Sequence, residues 1–472
     1  METIRTDLLV IGAGSGGLSV AAGAAQMGAD VVLLEGHRMG GDCLNYGCVP
    51  SKALLAAGKA AHGQATAGRF GVAAVAPQVD YAAVMDHVAD VIGQIEPMDS
   101  QERFEGLGVR VIRAFGRFVS PREVEAGGHL IRARRVVIAT GSAPMVPPIP
   151  GLDTVPYLTN ETLFELRRRP EHLLIIGGGP IGAEMAQAHV RLGARVTVIE
   201  GDRVLGRDDP ELAAVVCDSL RADGVEIAEG ALVERVSCEA GAVEVVATDG
   251  RVFAGSHLLV AVGRKANVDR LDLEAAGIET TKTGIRTDAA LRTTNRRVYA
   301  IGDVAGGLQF THVAGYHAGV IIRSALFGLP SKAKEAHIPR VTYTEPELAQ
   351  VGLSEPQARE VHGDRLEVVR FDFAHNDRAV AERKTTGFAK VMVVRGRPVG
   401  ASIVGPQAGE LIGLWSLALA NGMKMSQIAA MVSPYPSIGE LNKRVAGAYF
   451  SPRLFDNQMV KRVVRAVQRW LP

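Results

Sequence analysis

Residues 7–35 read DLLVIGAGSGGLSVAAGAAQMGADVVLLE, and residues 172–200 read HLLIIGGGPIGAEMAQAHVRLGARVTVIE. Each stretch consists of an apolar run, a glycine-rich turn, an amphipathic segment and a second apolar run that ends in Glu35 or Glu200. The glycines and the glutamate of the second copy each lie 165 residues after their counterparts in the first (177 minus 12, for example). The repeat predicts two copies of one βαβ dinucleotide-binding unit.

The glycine-rich turns carry the residues expected to bind phosphate. Glycine permits a tight turn between strand and helix, and it lets backbone N–H groups approach a pyrophosphate that the helix N-terminus attracts. The acid that lies 18 residues after the last glycine is placed to accept hydrogen bonds from ribose hydroxyls. We therefore predict one dinucleotide per unit. The predicted contacts are Gly12, Gly14, Gly17 and Glu35 in the first unit, and Gly177, Gly179, Gly182 and Glu200 in the second.

Glu200 bears on the choice of nicotinamide cofactor. A carboxylate at this position repels the 2′-phosphate of NADPH, so NADH is favoured. Arg203 and Arg207 follow closely and carry positive charge that would accommodate a phosphate. The sequence thus predicts NAD(P)H, with NADH preferred.

A third motif directly follows the first unit. Residues 40–52 read GGDCLNYGCVPSK, with Cys43 and Cys48 five positions apart. In a continuous α-helix this spacing separates the two Cα atoms by about 7.5 Å of rise or more, whereas a disulfide needs less than about 7 Å. If the cysteines pair, the helix between them must be distorted, and Gly47 and Pro50 are placed to do this. A helix N-terminus would also lower the pKa of a thiol located there.

Composition limits the classes of protein to which the chain can belong. Its 472 residues suffice for about three domains. The 52 basic and 51 acidic residues give a net charge of +1, which argues against a nucleic-acid partner. Four cysteines are too few for a secreted disulfide framework, so we expect a cytoplasmic protein. We expect no signal peptide, because the first strand-like run begins at Leu8 with no charged region or cleavage site before it. We expect no membrane-spanning helix, because no apolar run reaches 18 residues.

Later strand-like runs carry further candidate residues. Residues 135–141 read as a buried strand that ends at Thr140 and Gly141, and residues 298–303 read as a strand that ends in Asp303. Beyond about residue 336, short strands alternate with helical stretches, as in a separate α+β domain. The predicted elements there are strands at 341–344, 390–394 and 399–404 and a helix within 406–422.

The cysteine motif, set after the first dinucleotide unit, resembles that of the class I pyridine nucleotide-disulfide oxidoreductases, and the resemblance covers essentially the whole chain. This family includes dihydrolipoamide dehydrogenase, glutathione reductase and mercuric reductase. The resemblance implies an α/β fold with two Rossmann-type dinucleotide-binding domains and a C-terminal α+β dimerisation domain, and it implies a homodimer. The implied domains are an FAD-binding domain at 1–148, an NAD(P)-binding domain at 149–265, a central segment completing the FAD domain at 266–335, and an interface domain at 336–472.

The resemblance also implies roles for individual residues. Cys43 is the implied interchange thiol that meets the substrate, and Cys48 is the implied thiol nearest the flavin, where it forms a charge-transfer thiolate. Lys52 would lie near the flavin and pair with Glu184, and Asp303 looks like the acid that contacts the flavin. Reducing equivalents would pass from NAD(P)H through FAD to the Cys43–Cys48 disulfide. The other expected cofactor contacts are Gly41, Thr140, Gly141 and Gly263.

One position near the C-terminus departs from the family's pattern. Disulfide reductases of this family carry His-Pro-Thr-x-x-Glu where residues 434–440 read PYPSIGE, so Tyr435 replaces the histidine and Glu440 is kept. A phenol with a pKa near 10 is a poor base at neutral pH, which argues against ordinary turnover of lipoamide or glutathione. Mercuric reductases also carry a tyrosine here, but this chain lacks their C-terminal pair of cysteines. Tyr435 and Glu440 are catalytic candidates, and no resident metal is predicted.

The leading functional hypothesis is electron transfer from NAD(P)H through FAD and the cysteine pair to a disulfide or a thiol-bound metal, as in dihydrolipoamide dehydrogenase or mercuric reductase. Two alternatives stay open. In a diaphorase or quinone reductase the flavin would reduce the acceptor directly, and Cys43→Ser would keep activity. A low-turnover subunit would instead bind a lipoyl carrier protein stably.

Residues 457–471 form a separate feature. They predict a basic amphipathic helix, with valines at helical spacing and basic residues mostly off that stripe. Packing of this helix within the dimer is the expected role, and contact with a membrane surface or an acidic partner is the alternative.

Overall fold

A computed structural model of the chain describes residues 2–471. The chain forms two compact units. The first comprises the residues up to Gly201 together with Gly230–Lys334, and the second comprises Asp202–Glu229 together with the residues from Glu335 onwards. The division into four domains remains a prediction.

The strands within residues 2–471 are short, apart from two of ten residues. They are β1 (Glu2–Ile11), β2 (Val31–Leu34), β3 (Arg110–Ile112), β4 (Arg117–Ser120), β5 (Glu123–Ala126), β6 (His129–Ile138), β7 (Ser142–Pro144), β8 (Tyr157–Leu158), β9 (His172–Ile176), β10 (Arg195–Ile199), β11 (Glu226–Ala228), β12 (Val233–Glu239), β13 (Ala242–Ala247), β14 (Val252–Gly255), β15 (His257–Val260), β16 (Arg264–Ala266), β17 (Val298–Ala300), β18 (Arg340–Thr342), β19 (Glu347–Gly352), β20 (Leu366–Asp372), β21 (Phe388–Val394) and β22 (Arg397–Gly405).

The α-helices of the same residues alternate with these strands. They are α1 (Ser15–Gln26), α2 (Gly41–Asn45), α3 (Cys48–Ala65), α4 (Tyr81–Asp99), α5 (Gln101–Gly106), α6 (Pro180–Arg191), α7 (Pro210–Ala222), α8 (Thr311–Ile321), α9 (Glu355–His362), α10 (Asp377–Ala381), α11 (Ala408–Ala420), α12 (Met425–Ala429), α13 (Glu440–Ala448), α14 (Ser451–Phe455) and α15 (Gln458–Trp470).

A mainly parallel sheet positions the first glycine-rich turn. Its strand order is β3-β2-β1-β6-β5-β4, and β17 also pairs with β6. β1 runs parallel to β2 and to β6, and its residues from Leu8 to Ile11 are buried. The turn follows at the carboxyl end of β1, which is the edge where open α/β sheets bind ligands. Helices α1 and α8 pack together beside this sheet.

A second parallel sheet in the same unit repeats the arrangement. Its strands within this unit are ordered β10-β9-β15-β8, and the second glycine-rich turn joins β9 to α6. α6 packs against α3, the helix that carries the second cysteine of the redox motif. The apolar runs of β9 and β10 are buried, as expected for strands covered on both faces.

The second unit is an antiparallel sheet covered by helices. Its strand order is β18-β19-β22-β21-β20, and α11 packs on β19 and β22. Trp415 on α11 is fully buried and donates a hydrogen bond to Asn442 on α13 at 2.8 Å. α7 also belongs to this unit, where the buried Lys390 contacts Asp209 at 2.9 Å and Glu355 at 2.8 Å.

The predicted α/β class with a C-terminal α+β region is confirmed, while several element boundaries were wrong. The strand expected to end in Asp303 ends at Ala300, because Gly302 turns into a left-handed conformation with φ of +66° and opens a short 3₁₀ turn. The strand expected at residues 135–141 begins earlier and ends earlier than predicted, because β6 runs from His129 to Ile138. Every helix within residues 2–471 is either too short or too polar to cross a membrane.

Candidate active site

The first glycine-rich turn is tightly closed. Gly12 has a φ of +104°, and a Cβ atom there would lie 2.5 Å from the carbonyl oxygen of Ala139. A Cβ atom on Gly17 would collide with the carbonyl oxygen of Gly12. No side chain caps α1 at Gly14, so the first N–H groups of that helix remain available to a phosphate.

Glu35 closes the same turn from the next strand. Its carboxylate accepts hydrogen bonds from the backbone N–H groups of Ala13 at 2.8 Å and His37 at 2.6 Å. These contacts hold the acid beside the turn, and a carboxylate has further lone pairs for a ribose. The position agrees with the ribose contact expected of Glu35.

The second glycine-rich turn has the same geometry. Gly177 has a φ of +108° and lies against the carbonyl oxygen of Ala261, and Gly182 leaves no room for a Cβ atom beside the oxygen of Gly177. A Cβ atom on Gly179 would instead have no neighbouring atom within 4 Å. Glu200 accepts a hydrogen bond from the N–H of Gly178 at 2.6 Å.

The two cysteines lie on either side of a break between helices. Cys43 is in the short α2, and Cys48 is the first residue of α3. The break is at Gly47, whose φ of −120° and ψ of −109° are not helical. Pro50 was also expected to distort the helix, but it fits in the first turn of α3, where proline costs no hydrogen bond. Both thiols are free in this structure.

A close contact between glycines brings the cysteine motif to the first turn. Gly41 has a φ of +61°, and a Cβ atom there would lie 2.7 Å from the Cα of Gly14. The neighbouring Gly40 forms an isolated bridge with Gly14. Gly41 therefore sets how closely α2 approaches the turn that is expected to bind FAD.

The thiols interact unequally with their surroundings. A hydrogen bond from Cys43 lowers the pKa of Cys48 to about 6, with burial opposing this and Thr311 and Lys52 reinforcing it. The same hydrogen bond, together with burial, raises the pKa of Cys43. The Sγ atom of Cys48 is 3.4 Å from the hydroxyl of Thr311, the first residue of α8. The opposite shifts in pKa favour a thiolate at Cys48 and a proton on Cys43.

Lys52 and Glu184 meet as the sequence predicts. The Nζ atom of Lys52 on α3 is 2.7 Å from the carboxylate of Glu184 on α6. The glutamate side chain is 6% exposed and the lysine 37%, so the pair lies at the margin of the interior. The lysine also lowers the pKa of Cys48 through its positive charge.

Asp303 belongs to a network that the sequence did not predict. Its carboxylate accepts a hydrogen bond from Ser142 at 2.5 Å. Arg264 donates to the same serine at 2.7 Å and to Asp42, which adjoins Cys43, at 3.0 Å. Burial raises the pKa of Asp303, while Ser142 and Arg264 oppose the rise. Arg264 follows the predicted Gly263, but nothing in the sequence pairs it with residues more than 100 positions away.

The remaining predicted contacts, Thr140, Gly141 and Gly263, are hydrogen-bonded to Asn267 or to Met145. The hydroxyl of Thr140 donates a hydrogen bond to the carbonyl oxygen of Asn267 at 2.8 Å. The backbone N–H of Asn267 donates to the carbonyl oxygen of Gly141 at 3.0 Å. The carbonyl oxygen of Gly263 accepts from Met145 at 2.9 Å. These bonds tie the segments after β6 and β15 together next to the two-stranded sheet of β7 and β16.

Tyr435 and Glu440 lie in the second unit and have separate partners. The hydroxyl of Tyr435 donates to Asp377 at 2.9 Å, and the side chain is 69% exposed. This hydrogen bond, together with the charge of Asp377, raises the pKa of Tyr435. Glu440 begins α13 and pairs with Arg444 at 2.9 Å. Tyr435 is therefore a neutral hydrogen-bond donor at physiological pH.

The two turns fit dinucleotides. In each turn the first and last glycines have no room for a Cβ atom. The helix that follows each turn has no side chain capping its N-terminus, so its first N–H groups are free to bind a phosphate. Among residues 2–471, no group of three or more His, Cys, Asp or Glu side chains is arranged to hold a metal ion.

Comparison with known proteins gives consistent matches over most of the chain. The profile of pyridine nucleotide-disulphide oxidoreductases matches residues 6–318, and that of their dimerisation domain matches residues 338–446. A mercuric reductase from Lysinibacillus sphaericus is 36% identical over 92% of this chain and 81% of its own length. A dihydrolipoyl dehydrogenase from Bacillus subtilis is 34% identical over 92% of this chain and 96% of its own. The copper(II) complex of the HOCl-induced flavoprotein disulfide reductase RclA from Escherichia coli superposes with a TM-score of 0.84 at 28% identity, covering 93% of this chain and 99% of its own.

Proposed function

The chain belongs to the pyridine nucleotide-disulphide oxidoreductase family, whose members use FAD and NAD(P)H, and on this premise we propose that electrons from NADH leave this enzyme through Cys43 and Cys48. The observation that carries the proposal is the geometry of the thiol pair: Cys43 and Cys48 flank the break between α2 and α3, Cys48 lies 3.4 Å from the hydroxyl of Thr311, and Lys52 one turn further along α3 pairs with Glu184. When bound, FAD supplies the two-electron chemistry that links a nicotinamide to a thiol pair. The residues of the chain provide position and charge.

The thiol pair performs the exchange with the acceptor. On reduction of the Cys43–Cys48 disulfide, two electrons break the S–S bond, one proton goes to Cys43, and Cys48 is left as a thiolate, the form that its lowered pKa favours. With a disulfide acceptor, Cys43 passes its proton to Cys48 and its sulfur attacks one sulfur of the acceptor, releasing the other as a thiolate that takes a proton from water. Cys48 then attacks Cys43, which re-forms the internal disulfide and releases the second sulfur, and that sulfur takes the proton that Cys48 held.

The acceptor proposed is a metal ion bound by Cys43, in preference to lipoamide. A dithiol or disulfide substrate needs an acid and base for its own sulfurs, and histidine serves this purpose in relatives with the His-Pro pattern. Tyr435 occupies that position, and Asp377 raises its pKa further from neutrality. With copper(II), two ions each take one electron as the Cys43–Cys48 disulfide re-forms and the proton of Cys43 passes to water, so the substrate itself transfers no proton. The mercuric reductase and the copper(II) complex among the similar proteins support this choice.

NADH is the proposed electron donor. Glu200 ends the strand that follows the second turn, and its carboxylate is held there by the N–H of Gly178. A 2′-phosphate bound beside this acid would bring two negative charges together. We therefore expect kcat/KM for NADH to exceed that for NADPH.

A homodimer completes the proposed active site. The match to the dimerisation domain covers most of the second unit. In the arrangement that the family resemblance implies, Tyr435 and Glu440 of the partner subunit would face the cysteine pair. Tyr435 would then donate a hydrogen bond to the acceptor or to a thiolate.

The experiment is steady-state oxidation of NADH by the FAD-loaded enzyme, with lipoamide or copper(II) as the acceptor, comparing wild type with Cys43→Ser. Reduction of copper(II) that outpaces reduction of lipoamide and is lost in Cys43→Ser would support the proposal. Fast lipoamide turnover would show that Tyr435 permits disulfide chemistry and would contradict the preference for metals.

The same comparison tests the two alternatives. Equal activity of wild type and Cys43→Ser, especially with quinones, would assign the protein to the diaphorases or quinone reductases. Slow turnover on every free acceptor, combined with a stable complex with a lipoylated carrier domain, would favour the carrier-binding role.

A further inference from the structure

The C-terminal helix α15 has an apolar face that nothing in the described chain covers. None of the residues of Gln458–Trp470 is buried. Trp470 is 85% exposed, Met459 is 74% exposed and Val463 is 56% exposed. The preceding helix α14 adds two more exposed apolar side chains, Leu454 and Phe455. Clusters of exposed apolar side chains are a feature of interaction surfaces.

The side chains of α15 separate cleanly into two faces. At 100° per residue, the large apolar residues fall within an arc of about 140° and the basic residues within an opposite arc of about 100°. The apolar arc consists of Met459, Val460, Val463, Val464, Val467 and Trp470, and the basic arc of Lys461, Arg462, Arg465 and Arg469. Residues 457–471 contain no acidic side chain. The helix thus combines an unmixed positive face with an aliphatic face that ends in a tryptophan.

This pattern determines the kind of surface that α15 fits. A basic arc, an aliphatic arc and a terminal tryptophan are the features of helices that lie in the plane of a membrane interface. The helix has 13 residues and four positive charges, so it is too short and too charged to span a bilayer. An anionic lipid surface offers both the negative charge and the apolar layer that the two faces require.

A second copy of the chain fits the helix less well. The match to the family's dimerisation domain ends at residue 446, before α15 begins at Gln458. A second α15 would bring four more positive charges and no negative charge to offset them. The matched dimerisation domain therefore does not include this helix.

We propose that α15 binds the surface of a bilayer that contains anionic lipid, with its valine face and Trp470 in the interface and its basic residues toward the headgroups. The proposal is independent of the electron acceptor. It concerns where the enzyme is held, and vesicle binding can be measured without NADH.

The test is co-sedimentation of the full-length, FAD-loaded protein with vesicles of equal parts phosphatidylglycerol and phosphatidylcholine, and with vesicles of phosphatidylcholine alone. We expect binding to the anionic vesicles that weakens as salt is added, because surface charge is screened. Tryptophan emission gives a local readout. Trp415 is fully buried and Trp470 is exposed, so a blue shift on adding vesicles that is absent in Trp470→Phe reports α15.

Three double variants separate the contributions of the two faces. Val463→Glu/Val467→Glu places carboxylates in the apolar arc with a good helix former, and we expect vesicle binding to fall to background. Lys461→Gln/Arg465→Gln keeps the apolar arc and removes two charges, each worth roughly fivefold in partitioning, so binding should weaken about 25-fold. Gln458→Ser/Gln468→Ser, on the basic side, is the matched control and should bind as wild type does.

Two kinds of result would overturn the proposal. One comes from sedimentation with anionic vesicles: wild-type protein that stays in the supernatant, or Val463→Glu/Val467→Glu protein that binds the vesicles as strongly as wild type does. The other is a change of oligomeric state in that variant without lipid, measured by analytical ultracentrifugation, which would assign the apolar face to a second copy.

Discussion

After the hydrogen bond from Cys43, Thr311 is the next group that lowers the pKa of Cys48, the thiol at the start of α3. Its hydroxyl is 3.4 Å from Cys48 and helps to lower the pKa of that thiol to about 6. In Thr311→Val the thiolate loses this donor, so the pKa of Cys48 should rise by about one unit, and the thiolate fraction at pH 7 should fall from about nine-tenths to about half.

The pH dependence of alkylation measures this shift. The rate at which iodoacetamide modifies Cys48 in the reduced protein, quantified by mass spectrometry, should rise with pH and level off above the pKa of the thiol. Thr311→Ser keeps the hydroxyl and should keep the wild-type midpoint. Identical midpoints for wild type and Thr311→Val would show that Thr311 does not stabilise the thiolate.

Arg264 is expected to matter for stability as well as for position. Its side chain is 13% exposed and joins Asp42 to Ser142 and Asp303. Arg264→Met should lower the free energy of unfolding by about 2 to 3 kcal/mol, less than the full cost of breaking a buried pair because Asp42 is partly exposed.

Release of flavin during urea unfolding, followed by fluorescence, would report this loss. The neighbouring Lys265 pairs with Asp269, but both side chains are more than 60% exposed, so Lys265→Met should cost less than about 1 kcal/mol. Equal losses in the two variants would mean that the buried network adds no stability beyond that of a surface pair.

Residues that belong to short sequence motifs could be predicted, whereas residues that contact partners far away in the sequence could not. Cys43, Cys48 and the glycines stand in short motifs that can be read directly. Thr311 lies 263 positions from Cys48, and Arg264 lies 122 positions from Ser142. Only the folded sheets bring such pairs together, so no spacing rule could have found them.

At the scale of elements, the two glycine-rich turns can be tested independently. A methyl group on Gly17 would collide with the oxygen of Gly12, and one on Gly182 with the oxygen of Gly177. Gly17→Ala should therefore yield protein that retains little FAD. Gly182→Ala should retain FAD but bind NADH at least tenfold more weakly, an effect of about 1.4 kcal/mol or more.

The flavin content after purification and calorimetric titration with NADH would measure these effects. Gly93→Ala in α4 is the control, because no atom lies within 4 Å of its added Cβ and alanine favours a helix. Loss of FAD in Gly182→Ala without any change in Gly17→Ala would reverse the assignment of the two units.

The break between α2 and α3 shows how far spacing alone can predict an element. The five-residue separation of the cysteines predicted a distorted helix if the two thiols form a disulfide, and the structure has a break between them. The choice between Gly47 and Pro50 as the cause required the backbone, because proline is tolerated in a first helical turn.

At the scale of the whole molecule, a shared active site predicts complementation between defective subunits. Cys43→Ser disables one side of each proposed site, and a double variant Tyr435→Ala/Glu440→Ala disables the other. Mixed dimers contain one intact site, so random reassociation should restore about a quarter of wild-type activity.

The measurement is NADH oxidation after the two inactive variants are dissociated and reassociated together. Each variant reassociated alone provides the baseline. Activity that stays at this baseline, although mixed dimers form, would show that both halves of the site come from one subunit.

The second unit is built from two separate parts of the chain, and this affects how it can fold during synthesis. α7 belongs to that unit, yet Asp209 at its start precedes its partner Lys390 by 181 residues. At 5–20 residues per second, a ribosome needs roughly 10 to 35 s to make the intervening chain. During that interval the apolar side of α7, with Leu212, Val216 and Leu220, has no sheet of its own unit to cover it. During synthesis the nascent chain therefore exposes the apolar side of α7 before the residues that cover it have been made. Synthesis that stalls before residue 390 would leave a product prone to aggregate.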